Sequence, residues 1–378
     1  MIEQANEIAF SFYRKAVAGK DRNFVFSPYG IRMAFSMMRE GAKGQTAEEM
    51  DNVLHFPAAS GERLSATDSI IRIEKKATEG IDFHTANSLW AQKGILLLPE
   101  YEKCLKKHFE SSINIEDFQT DPEKARKRIN SWVEENTKGL IKRFNPPGSI
   151  NELTRFILLN AVYFYAEWKE KFIAENTERK RFYPHSGEKQ YVQLMRKVSK
   201  FHYVRKKGVQ YLSLPYANCG NEYDEGLEML VILPKDKDSF DKTEMNINSK
   251  NITEIRQKME ARFGLAFIPR FDFSSSFNLS RELSRMGMKD SFTKNADFSG
   301  ISEKEKLFIN SANQKTFISV NEDGTKAGAV TGMRMLSKGR GPDIQFTFRA
   351  NKPFIFLIRD IKTGLIFFMG KMTNSSAA

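Results

Sequence analysis

The sequence predicts one large α+β domain over residues 1–378, and three observations carry that reading. Apolar residues recur at helical spacing through the first half, then alternate or run continuously, as strands do, through the second. No internal repeat, low-complexity linker or sharp change of composition divides the 378 residues. Hydrophobic residues make up 40% and charged residues 28%, which suits a core-forming chain and excludes collagenous, disordered and membrane-embedded classes.

Taken in order, Ala5, Ile8, Phe12 and Ala16 mark a helix over 3–18 that Gly19 closes. Residues 23–26 read as a short strand. Ser27-Pro28 then opens a helix through Ile31, Ala34, Phe35 and Met38, a hydroxyl cap followed by proline at the first helical position. Thr46 and Glu49 have capping-box spacing and open the next helix. A strand over 81–92 and a helix over 98–110 follow. Pro122 begins a basic helix through Lys124, Arg126, Lys127 and Trp132. Residues 156–164, Phe-Ile-Leu-Leu-Asn-Ala-Val-Tyr-Phe, form a continuous apolar run, the pattern of a strand buried on both faces. Strands are expected near 190–205, 209–214, 226–233 and 263–273, with helices near 250–261 and 279–287. Two apolar strands, 353–358 and 365–370, flank the hairpin signal Asp360-Ile361-Lys362-Thr363-Gly364.

Lysine and arginine number 59 against 47 acids, a formal charge of +12. A basic surface favours acidic partners without naming one. The local basic groups are Lys124 to Lys127, Arg179 to Arg181 and Arg205 to Lys207. Cys104 and Cys219 are the two cysteines. Two free thiols fit a reducing compartment or a cysteine-poor secreted protein. The start Met1-Ile2-Glu3-Gln4 lacks a basic n-region and an apolar h-region, so no signal peptide is expected. The expectation is a cytoplasmic protein with release by an unconventional route. The alternative is an extracellular one whose signal has been trimmed. The five histidines show no metal-ligand spacing, and HExxH, CxxC, GxSxG, Walker A and GxGxxG patterns are all missing. The expectation is therefore no enzyme, no metal and no cofactor.

One segment stands apart. Residues 321–342 join a strand at 315–320 to another near 344–349 and hold five glycines, at 324, 328, 332, 339 and 341. A connection this long inside a compact domain is often functional. From Thr325 to Met335 one alternate set, Thr325, Ala327, Ala329, Thr331, Met333 and Met335, is uncharged and begins with small residues. The other set, Lys326, Gly328, Val330, Gly332 and Arg334, holds both charges. That is the period of a half-buried strand in residues of poor strand propensity. Such a segment can exist as a loop or as a strand added to a sheet. A plain flexible hairpin loop explains the pattern too, since two charges share a face by chance about half the time.

The whole chain resembles the serpin family. The motifs are Asn23-Phe-Val-Phe-Ser27-Pro28, Leu159-Asn160-Ala-Val-Tyr-Phe164 with Trp168, Val320-Asn-Glu-Asp-Gly-Thr325, Asn351-Lys-Pro-Phe354 and Leu365-Ile-Phe-Phe-Met-Gly370. The resemblance implies a single domain of three β-sheets and eight to nine helices with an exposed reactive-centre loop at about 322–342. It implies a suicide substrate that offers a bait bond, is acylated by a serine protease, and traps it by inserting the cut loop into the central sheet. The hinge then comprises Glu322, Gly324, Thr325, Lys326, Ala327, Gly328, Ala329, Val330 and Thr331. Its small inward residues favour an inhibitor over a carrier, storage or chaperone member of the family.

Counting seventeen residues from Glu322 places the bait at Lys338 and the scissile bond before Gly339, which suits a trypsin-like pocket. Arg340 is a second basic option. Met333, Met335 or Leu336 would suit chymotrypsin-like or cathepsin G-like enzymes. Ser27, Asn160 and Gln314 fall where the central sheet opens, and Trp168 lies near its top, where Glu322 is expected to pair with Arg270. The family often has serine where this chain has Gly30 and histidine where it has Gln314, so the opening network is expected to be bonded differently. The implied partner is a target serine protease in covalent complex, with a glycosaminoglycan as an added one. Nucleic acid and membrane are not expected, and the expected state is a monomer.

Overall fold

A computed structural model describes residues 1–111, 113–220, 222–325 and 343–375. The helices among them are α1 (Ile2–Phe12), α2 (Pro28–Arg39), α3 (Gly44–Leu54), α4 (Ser60–Ala77), α5 (Pro99–Phe109), α6 (Pro122–Asn136), α7 (Lys237–Asn246), α8 (Ser249–Gln257) and α9 (Leu279–Met286). Between and after them run strands β1 (Phe24–Phe26), β2 (Asp82–Gln92), β3 (Ile113–Glu116), β4 (Phe156–Glu167), β5 (Glu178–Phe182), β6 (Gln190–Lys206), β7 (Val209–Pro215) and β8 (Leu227–Pro234). The series continues with β9 (Glu260–Pro269), β10 (Phe271–Asn278), β11 (Ser311–Val320), β12 (Gly324–Thr325), β13 (Phe346–Arg349), β14 (Phe354–Asp360) and β15 (Ile366–Met372). No helix among the described residues is long and apolar enough to cross a membrane.

Six strands form the central sheet in the order β10-β11-β12-β4-β2-β3. Nine further strands, β1, β5 to β9 and β13 to β15, are joined by hydrogen bonds into one set. The long strand β6 links its two parts: residues 203–206 pair with β7, and residues 194–203 pair with β9. The three-sheet architecture is thus present, with the two smaller sheets sharing β6. Helix α2 sits in the interior with all of its residues buried. Ser27 caps it, accepting the Gly30 N–H at 2.9 Å, with Pro28 at the first position. Many of the phenylalanines fill the core here: Phe12, Phe26 and Phe277 meet between α1, β1 and β10 with ring centroids 4.9–6.1 Å apart.

Several local expectations differ from the structure, among them the helix expected to 261, which ends at Gln257 before β9 begins at Glu260. The expected strand 263–273 is two strands, because the chain passes from a smaller sheet to the central one between Pro269 and Phe271. Thr46 and Glu49 do not cap their own helix, which starts earlier, at Gly44. Thr46 accepts the Asp297 N–H at 2.9 Å, and Glu49 accepts those of Lys289 and Asp290 at 2.6 and 2.8 Å. Both tie α3 to the 289–297 turn. Helices α4 and α7 were invisible to periodicity because their apolar stripes are thin: α4 buries little beyond Ala66, Ile70 and Ala77, and α7 only Phe240 among apolar residues.

Candidate functional site

The central sheet carries two connected features, a seated hinge at its top and an amide row about 20 Å below, six residues of β11 apart. Strands β4 and β11 pair directly and in parallel from Ser311↔Ile157 to Thr316↔Val162. Above that point they part, and β12 lies between them. Thr325 pairs with Ala166 and with Val320, and Gly324 with Glu167. Gly324 and Thr325, two residues of the expected hinge, are therefore already a strand of the sheet.

The turn before β12 is held on every side. Asn321 bridges it: its N–H donates to the Gly324 carbonyl at 2.9 Å, and its side-chain oxygen accepts the Asp323 and Gly324 N–H groups at 3.0 and 3.2 Å. The segment after β4 clasps it from the other side. The Trp168 N–H donates to the Asp323 carbonyl at 2.8 Å, the Trp168 indole to the Asn321 carbonyl at 2.9 Å, and the Phe172 N–H to the Glu322 carbonyl at 2.9 Å. A Cβ at Gly324 would meet the Ala166 carbonyl oxygen at 2.1 Å, so only glycine permits this approach. Thr325, 1% exposed, shares a 2.9 Å hydroxyl hydrogen bond with Tyr216, whose ring stacks on Trp168 at 4.8 Å. Burial pushes the Tyr216 phenol far above its ordinary value, so it stays a neutral hydrogen-bonding group.

The Arg270–Glu322 pair forms at 3.5 Å. Arg270 is half exposed, so this contact is worth at most about 1 kcal/mol. The stronger restraint on Glu322 comes from Thr177, whose hydroxyl donates to its other oxygen at 2.6 Å. Lys171 pairs with both Glu167 and Asp323, at 3.0 and 3.3 Å, and ties the turn to β4.

Ser27, Asn160 and Gln314 come together beneath α2. Gln314 and Asn160 are in register on β11 and β4, and Asn87 is in register with Asn160 on β2. The Gln314 amide accepts the Ser27 N–H at 3.0 Å and donates to the Ser27 carbonyl at 2.9 Å. It also donates to the Asn160 oxygen, and Asn160 in turn donates to Asn87. The Ser27 hydroxyl donates to the Phe367 carbonyl at 2.8 Å. A Cβ at position 30 would fall 2.4 Å from the Asn160 amide nitrogen. Gly30 and Gln314 are thus matched: the amide row occupies the space a side chain at 30 would need.

Lys197 pins the clasp to β6. Its ammonium lies 5.3 and 5.8 Å from the Phe172 and Phe201 rings, donates to the Glu170 carbonyl, and stands 3.5 Å from the Glu170 carboxylate. Burial pulls its pKa from 10.5 to about 8, more than Glu170 restores. The folded-state value lies below the unfolded one, so between pH 8 and 10.5 the unfolded chain binds the extra proton and stability rises with pH. Below pH 8 that gain is absent. The expected gain is about 3 kcal/mol. Lys197→Met should remove this part of the rise, seen as a flatter plot of denaturation midpoint against pH from 8 to 10.5.

The remaining candidates, Lys326, Ala327, Gly328, Ala329, Val330, Thr331, Met333, Met335, Leu336, Lys338, Gly339 and Arg340, lie outside the described residues. Of the basic groups, Arg126 is paired with Glu123 at 2.5 Å, Lys180 with Glu178 at 2.5 Å and Lys206 with Glu254 at 3.8 Å. Cys104 and Cys219 are both unpaired. The sequence reading missed Tyr216, Thr177, Asn321, Lys171 and Asn87. Only Asn321, closing a strand before Asp323-Gly324, carried a local signal, that of a side-chain turn.

A family model described as Serpin (serine protease inhibitor) matches residues 3–375. An uncharacterized serpin-like protein of Thermococcus kodakarensis is 38% identical over 380 residues, covering 99% of this chain and 85% of the relative. The leukocyte elastase inhibitor of Xenopus tropicalis is 32% identical over 360 residues, 93% of each chain. Among solved structures, uncleaved ovalbumin superposes with a TM-score of 0.86 at 29% identity, covering 99% of both chains. Matched over nearly its full length in profile, sequence and fold, the chain belongs to the serpin family.

Proposed function

We propose that the chain is a suicide-substrate inhibitor of serine proteases, with Lys338 as bait residue for a trypsin-like enzyme. The observation that supports it best is the seated hinge. Gly324–Thr325 already occupies the place between β4 and β11 that a growing strand would extend, while below it the two strands are joined by only six directly paired positions. In this mechanism the protease serine attacks the Lys338 carbonyl, the bond to Gly339 breaks, and the proton passes to the new Gly339 amine. The severed strand enters behind Thr325, replacing one parallel ladder with an antiparallel ladder on each side. About 14 inserted residues at ~3.3 Å each span roughly 45 Å, enough to carry the acylated protease along the sheet before water releases it. The chain supplies the bond and the protease the nucleophile, so no enzyme activity of its own is involved. We place it, as one domain and a monomer, in a reducing compartment, where its two unpaired thiols are stable.

A denaturing gel of the protein with trypsin, chymotrypsin and cathepsin G, with mass spectrometry of the released C-terminal fragment, tests this. The expected result is a denaturant-resistant complex with trypsin and a fragment beginning at Gly339. A fragment beginning after Met333, Met335 or Leu336 would keep the mechanism and move the target to chymotrypsin-like or cathepsin G-like enzymes. One beginning after Arg340 would keep both. Clean cleavage by all three enzymes without complex, and without a rise in unfolding temperature, would assign the chain to the non-inhibitory members.

A further inference from the structure

One exposed face of the small sheet formed by β6, β9 and β13 carries cations and apolar side chains in register and no acid. Arg196, Phe267 and Arg349 form one row across the three strands, with the Arg349 guanidinium 3.9 Å over the Phe267 ring. Val198, Leu265 and Thr347 form the next, and Lys200 opposite Phe263 the third. Val198 and Phe263 are each 41% exposed. Arg196, Lys200 and Arg349 have no ion-pair partner among the described residues. Glu178, the acid that senses Arg196, is held by Lys180 at 2.5 Å.

The proposed bait bond is close to this face along the chain. The Gln345 N–H donates to the Phe263 carbonyl at 3.0 Å, and Lys338 stands seven positions before Gln345, a tether of at most ~25 Å. A trypsin-sized domain is about 45 Å across. A protease seated on the bait bond would therefore overhang the sheet. We propose that this face is a second docking surface for the target protease, matched to an acidic patch beside that enzyme's cleft. The proposal rests on the inhibitor reading above. A protein partner is favoured over a sulfated polymer because apolar residues alternate with the cations. A protein interface buries such residues at its centre with charges around them, whereas a polyanion would leave them in water. The functional consequence is selectivity by encounter rate among enzymes that share one primary pocket.

The test compares association rates with anionic and cationic trypsin, which share lysine/arginine specificity but differ in net charge. The parent chain and the Arg196→Glu/Lys200→Glu variant are each measured at low and high salt. The parent should trap anionic trypsin about tenfold faster than cationic trypsin at low salt. The variant should bring that ratio near one, with complex yield and unfolding midpoint unchanged. Should the reversal pair lower the midpoint, Arg196→Gln/Lys200→Gln carries the same comparison. An unchanged ratio with normal complex yield overturns the docking surface alone. Loss of heparin retention at unchanged rates would overturn it in favour of a polyanion surface. Failure of the parent to form complex with either trypsin would overturn the trypsin-directed inhibitor reading, and this surface with it.

Discussion

On the inhibitor reading proposed above, Thr325→Arg is expected to turn the chain from an inhibitor into a substrate: trypsin should cut it at the parent rate, yet the covalent complex should nearly vanish. Thr325 is 1% exposed and lies in register with Ala166 and Val320, its hydroxyl on Tyr216. Before cleavage an arginine there can leave with the two-residue strand, so the fold survives. During trapping it cannot leave, because every following residue must enter behind it, and its charge must pass beneath the Trp168–Tyr216 stack. Burying that charge without a partner costs several kcal/mol. An added barrier of about 3 kcal/mol slows insertion about 100-fold. Deacylation, set by the protease, keeps its rate, so the partition moves to cleaved product. The measurement is moles of chain consumed per mole of protease inhibited, expected to rise more than tenfold. Thr325→Ser keeps the hydroxyl and should behave like the parent. An unchanged stoichiometry for the arginine variant would mean that insertion at this point is not what traps the enzyme.

That argument draws on residues which the sequence exposes unevenly. The central strand β4 was legible as an apolar run because both its faces are buried, whereas the alternation expected from Lys326 onward lies outside the described residues. What the hinge touches was not legible. Tyr216 is 109 residues from Thr325, and Thr177 is 145 residues from Glu322. No local pattern announces a contact made only when the ends of separate strands converge. The same limit applies to Asn160: a lone amide inside an apolar run signals a buried polar contact, but its partners Asn87 and Gln314 are fixed by register across three strands. The sheet crossover at Arg270 was masked because Pro269 and Phe271 continue the strand-like alternation on either side. The ion pair with Glu322 came from family resemblance, and the structure ranks it below the Thr177 hydrogen bond.

Gln314→Ala is expected to loosen the sheet at the place where the proposed insertion would open it. One side chain satisfies the Ser27 N–H, the Ser27 carbonyl and the Asn160 oxygen. Truncation leaves all three buried without that partner, at about 1 kcal/mol or more each. A loss of 3–4 kcal/mol lowers the unfolding midpoint by about 4–5 °C at this chain length. The weakened position lies inside the six-residue ladder that joins β4 to β11, so strand parting should accelerate as well. The parted sheet would accept the chain's own hinge segment or that of a neighbour, seen as loss of inhibitory activity and growth of oligomers on a native gel during warm incubation. Gln314→His should restore part of the midpoint, since an imidazole can reach Ser27 but cannot replace both functions of the amide. It should also add a pH dependence between about 5 and 7 that the parent lacks at this position, because an amide does not titrate. A midpoint within 1 °C of the parent, with no increase in oligomers, would show that the amide row does not hold the sheet closed and that the clasp around Asn321 and Trp168 carries that role instead.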